Sequence, residues 1–115
     1  MGDLSRNFSR WEFRCDHCGA LRGPTPHLVE ILQAARDRVG RPLDIVSGYR
    51  CPARNRAVGG SSNSRHLIGG AADIPGAYGS VALWRAAGAH RIGVRGGRVI
   101  HVDDWPGHHG TVFRD

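Results

Sequence analysis

The chain has 115 residues, 17 glycines and a formal charge of +6, and all 16 of its basic residues are arginine. That length supports one core of modest size, so one domain over 1–115 is expected, with residues 1–24 as an arm and 25–115 as the core. No stretch is long and apolar enough to span a membrane, MGDLSRNFSRWEF lacks the apolar centre of a signal peptide, and the charge favours a polyanionic partner.

Residues 4–13 read as an arm anchored by Phe8, Trp11 and Phe13, with Asn7 or Ser9 capping one short turn. CDHCGALRGP reads as a loop. Cys15 and Cys18 form a CxxC around His17, Cys51 stands alone, and no second CxxC completes a zinc ribbon. A small structural metal site, a disulfide from Cys51 to one of the pair, and three reduced thiols all fit that count. Thr25 is an N-cap with Pro26 at the first helical position, and Leu28, Ile31, Leu32, Ala35 and Val39 repeat at helical spacing. Gly40 and Pro42 stop this main helix, and Glu30, Arg36, Asp37 and Arg38 form its solvated face.

Leu43 to Val46 reads as a short strand delivering Ser47-Gly48-Tyr49-Arg50 to its end. Pro52 to Val58 reads as a short helix closed by Gly59-Gly60, and 61–65 as a loop. Gly70 to Ile74 is a small-residue strand on which Ala71 and Asp73 share a face. Ser80 caps another helix carrying Val81, Leu83, Trp84 and Ala87. Arg91 to Val94 and Arg98 to Asp103 form a hairpin around Gly96-Gly97, with Val99, His101 and Asp103 on one face. The tail WPGHHGTVFRD is turn-rich and is expected to close over the site.

His66, Asp73 and His101 offer two imidazoles and one carboxylate, the donor set of a catalytic zinc with one position open. Glycines between His66 and Asp73 let the backbone fold tightly enough for both to converge. Asp103, on the same strand face as His101, is the nearest acid and the candidate general base. His108 and His109 could reach in from the tail. Arg50 is placed to hold a substrate carboxylate or a developing oxyanion.

The pattern SGYR-C-P-x-x-N, VGG, S-x-H-L-x-G-x-A-A-D and V-x-H-V-D resembles the small zinc D-alanyl-D-alanine peptidases of bacteria and their phages. That family includes wall carboxypeptidases, vancomycin-resistance dipeptidases and endolysins. The resemblance spans Ser47 to Asp103. It implies His66, Asp73 and His101 as ligands of one Zn²⁺, Arg50 near the scissile bond and Ser64 lining the substrate pocket. Several branches carry a catalytic acid three residues before the last histidine, where this chain has Arg98; the short branch reads H-V-D, which favours Asp103.

The fold expected is α+β, a small antiparallel sheet carrying the zinc site against one main helix, as in the hedgehog domain. The function expected is a zinc peptidase on peptidoglycan stem peptides, acting as a monomer. It would be cytoplasmic until released, or phage-encoded and acting on the wall. The alternative is a wall-binding module that keeps fold and metal without turnover. An iron oxygenase reading of His101-Val-Asp103 lacks the chain needed for a distal histidine, and no motif supports nucleic-acid binding.

Overall fold

The computed structural model describes residues 2–114 and has an α+β fold. Helix α1 spans Pro26–Val39; its Thr25 cap accepts from the Leu28 N–H, and Gly40 closes it in the left-handed conformation at φ 75°. Helices α2 (Pro52–Ala57) and α3 (Val81–Ala86) are single short pieces, and 3₁₀ turns lie at Arg10–Phe13 and Arg65–Ile68. Strands β1 (Ala71–Asp73), β2 (Arg91–Arg95), β3 (Arg98–Asp103) and β4 (Thr111–Arg114) form one sheet in the order β1-β3-β2-β4.

The sheet is mixed rather than antiparallel: β4 runs parallel to β2. The connection explains this. Strand β3 ends opposite Arg91, at the start of β2, and β4 begins opposite the same residue on the other edge. A chain that crosses only the start of β2 must leave in the direction of β2. The tail thus closes on the molecule as a strand after one turn-rich segment. Two further expectations change. Leu43 to Val46 forms no strand; the segment makes a single bridge, Ser47 to Asp73. The register of the hairpin slips between Gly93 and Val94, where Ile100 has no partner. This bulge breaks the alternation, so Val99 enters the core with Val102; beyond it His101 and Asp103 are in regular register and share a face.

One apolar cluster joins Leu28, Ile31, Leu32 and Ala35 of α1 to Trp84 of α3 and to Ala72, Ile92, Val99 and Val102 of the sheet. Each Leu, Ile or Val among them contributes about 1.5–3 kcal/mol on burial. Trp84 also satisfies its indole N–H on the Tyr78 carbonyl at 3.1 Å. Phe8 and Phe13 anchor the arm to this cluster, whereas Trp11 is 65 % exposed under the Arg14 guanidinium. The core faces one side of the sheet and leaves the other to polar groups.

Candidate metal centre and cleft

Three elements bring His66, Asp73 and His101 to one point, with their donor atoms mutually within 4.8 Å. His66 sits on the 3₁₀ turn Arg65–Ile68, which Ser64 caps by accepting the His66 N–H. Gly69, at φ 78°, turns the chain directly into β1. Its α-carbon lies against Gly23, so a side chain there would strike the Arg22 carbonyl. Asp73 ends β1 opposite His101 on β3, so ladder register alone sets those two side by side. The pairing of His101 with Gly93 leaves room for the ring.

Both imidazoles have their remote nitrogen committed. His66 donates from Nδ1 to the Gly48 carbonyl at 2.7 Å, and His101 donates from Nε2 to Asp103 Oδ2 at 2.8 Å. The free nitrogens, His66 Nε2 and His101 Nδ1, both face Asp73 Oδ1 at 3.2 Å. The other Asp73 oxygen accepts from Arg50 at 2.6 Å. Two lone-pair nitrogens and a carboxylate oxygen pointing at one another repel unless a cation or a proton lies between them. Burial opposes charge on His101, yet the Asp103 and Asp73 carboxylates hold its pKa above the ordinary imidazole value. Burial likewise opposes the Asp73 anion, but the two histidines keep its pKa far below the usual carboxylate range. Neutral imidazoles with fixed remote N–H groups plus one carboxylate are the donors a tetrahedral zinc takes, so the residues fit that metal.

Asp103 does not have the placement expected of a base. It is fully buried and absent from the cleft lining. Its Oδ1 accepts from the Arg91 and Trp105 backbone N–H groups, and its Oδ2 from His101 and the Arg91 side chain at 2.9 Å. No oxygen remains for a water in the cleft, because four donors already occupy the carboxylate. Arg98 is exposed outside the cleft, and His108 and His109 do not line it either.

The cleft has a volume of about 270 Å³ and is lined by the three donors and by Arg50 and Ser64. Arg91, Trp105 and Phe113 also line it and were not legible from sequence, and residues 59–61 and 63 form the rest of its wall. Arg91 lies between Asp103 and the Trp105 and Phe113 rings, 4.2 and 4.9 Å from their centres. Phe113 also stands edge-on to His101 at 5.3 Å. Arg91 is the first residue of β2, and the crossing of the tail to the far edge of that strand brings in Trp105 and Phe113. Asp104 is a clamp that accepts from Arg65 at 2.6 Å and from Thr25 at 2.5 Å, tying the His66 turn to the start of α1.

A family model described as Peptidase M15 matches residues 3–103. Over 79 residues the chain is 42 % identical to the zinc D-Ala-D-Ala carboxypeptidase of Streptomyces albus G, covering 67 % of this chain. The chain spans 29 % of the length of that curated relative.

Proposed function

We propose, for a chain that belongs to the peptidase M15 family, that it is a zinc-dependent peptidase acting on peptidoglycan stem peptides, of the D-Ala-D-Ala carboxypeptidase type. The observation that carries this reading is the convergence of His66 Nε2, Asp73 Oδ1 and His101 Nδ1, with both remote ring nitrogens already donating. The Streptomyces relative, which is named for that metal and substrate, supports it.

His66 Nε2, Asp73 Oδ1 and His101 Nδ1 would hold the zinc ion, which would supply Lewis acidity for the scissile carbonyl and for activating water. The chain does the rest. Asp103 fixes the ring of His101 and the proton on Nε2, so it is a positioning residue. Arg50 holds the outer oxygen of Asp73 and brings positive charge to the cleft wall. Arg91 adds a second cation, suited to a terminal substrate carboxylate. Trp105 and Phe113 form an apolar wall that fits a small side chain such as a methyl group and shields the centre from water. Ser64 secures the His66 turn at the cleft edge. The site of action is the cell wall, reached after release.

A second reading, a zinc-containing wall-binding module without turnover, is favoured by one observation. Asp73 is the single carboxylate among the described residues lining the cleft, and it is already held by Arg50. One experiment separates the two. Zinc per chain is determined, and products from whole peptidoglycan and from a short D-Ala-D-Ala peptide are read by mass spectrometry, for the wild type and His66→Ala. About one zinc at this centre, with product formed by the wild type and abolished in the variant, is the expected result. Metal bound with neither substrate cleaved selects the binding module.

A further inference from the structure

The three cysteines take no part in the cleft. Cys15, Cys18 and Cys51 nevertheless bring their sulfurs mutually within 4.8 Å, from segments far apart in sequence. We propose that Cys15, Cys18 and Cys51, with His17 as fourth ligand, form a second, structural zinc site that fastens the N-terminal arm to the segment carrying Arg50. This site goes beyond the peptidase reading and does not depend on it.

The local backbone supports it. Cys15 to Ala20 is a tight turn in which the Cys15 N–H donates to the Ala20 carbonyl at 2.9 Å and the Gly19 N–H to the Cys15 carbonyl at 2.8 Å. Gly19 takes φ 73°, as the turn requires. This turn directs the CxxC sulfurs to one side. Opposite them Cys51 occupies the N-cap of α2, and its own N–H points at Cys15 Sγ at 3.4 Å. Nδ1 of His17 lies 3.4 Å from Cys51 Sγ, on an exposed side chain free to turn inward.

Tetrahedral zinc with bonds of about 2.3 Å to sulfur spaces its sulfurs about 3.8 Å apart. The three sulfurs therefore need to close by at most about 1 Å from their 4.8 Å limit. A disulfide would use two sulfurs and leave the third, and His17, without a role. The arm has reason to be fastened here: Tyr49 donates its N–H to the Phe13 carbonyl at 2.9 Å, and a side chain at Gly48 would collide with the Phe13 backbone. The Gly48 carbonyl is in turn the acceptor that orients His66.

The test uses the full chain. Metal analysis is expected to give about two zinc per chain for the wild type and about one each for His66→Ala and Cys51→Ser. Cobalt reconstitution then assigns the sites. Thiolate bonded to cobalt gives a near-ultraviolet charge-transfer band, and the cleft donors contain no sulfur. The band is expected in the wild type and in His66→Ala, and absent in Cys51→Ser. His17→Ala should keep the band and bind cobalt more weakly; unchanged affinity removes His17 from the ligand set. If Cys51→Ser does not fold, the spectrum of His66→Ala decides alone. No band in His66→Ala, or a disulfide among the three cysteines in the unreduced protein's intact mass, overturns the proposal and leaves the cleft reading untouched.

Discussion

Asp73 divides its two oxygens between different tasks, one facing the imidazoles and one held by Arg50. Asp103 does the same one layer deeper, with all its acceptor capacity committed. Removing Asp103 frees the far nitrogen of His101 and leaves Arg91 without its partner. Asp103→Ala is expected to weaken zinc binding about 10–100-fold, and Asp103→Asn, which still accepts from the ring N–H, much less. A competitive chelator titration measures both, and equal losses would refute the positioning role. The pH dependence follows from the same residues. In the metal-free chain, His101 contributes stability that is full below the ordinary imidazole value and lost as pH rises through its raised pKa. Asp73 and Asp103 contribute above the ordinary carboxylate value and lose their share as pH falls through their lowered pKa values. The metal-free melting temperature should therefore decline as pH rises from the ordinary imidazole value through the raised pKa of His101. Zinc requires both rings neutral, so the rise in melting temperature on adding zinc should grow over that interval. A zinc-induced shift that does not change with pH would argue against His101 as a ligand.

At the scale of elements, α1 and the β2–β3 pair carry separate loads. Leu32 is fully buried between α1 and the sheet, and Leu32→Ala is expected to cost about 2–5 kcal/mol in chemical denaturation. Gly93 has a different importance: a Cβ there would come within 2.8 Å of His101 Cβ and 2.9 Å of the Phe113 ring. Gly93→Ala should cost about 1–3 kcal/mol and also release metal, whereas Leu32→Ala should leave metal content at its folded-state value. Helix α1 was legible because its cap, its N-terminal proline, its apolar period and its terminal glycine all agree. The three converging donors were legible from motif and strand alternation together. Leu43 to Val46 misled because an apolar run does not say whether a partner strand lies beside it; here Val46 is 61 % exposed. The bulge at Ile100 and the parallel strand β4 were not legible, since both are set by pairing between distant segments. That is also why Phe113 escaped notice, and Asp103 looked like a free base because alternation gives its face but not the four donors that occupy it.

For the whole molecule, the charge of +6 acts beyond any single contact. Arg50 and Arg91 already place two of its cations at the cleft. A polyanionic wall polymer should be drawn to such a surface, with the attraction fading once the Debye length falls below about 10 Å. Activity on intact wall is expected to drop between about 0.05 and 0.3 M salt, while activity on a short peptide changes little. Equal salt sensitivity for both substrates would mean that charge acts at the cleft and not in reaching the polymer.

The crossing of the chain over the start of β2 divides the molecule by responsibility. Every proposed ligand of the cleft precedes Asp104, whereas Trp105 and Phe113 come after it, on a segment that contributes no ligand. The proposed ligands and the aromatic wall of the cleft thus lie on successive stretches of chain, joined where the Trp105 N–H donates to Asp103 and Phe113 stands against His101. A graft of a new ending must therefore keep the Trp105 N–H and an aromatic ring at Phe113, or it disturbs the frame that orients His101.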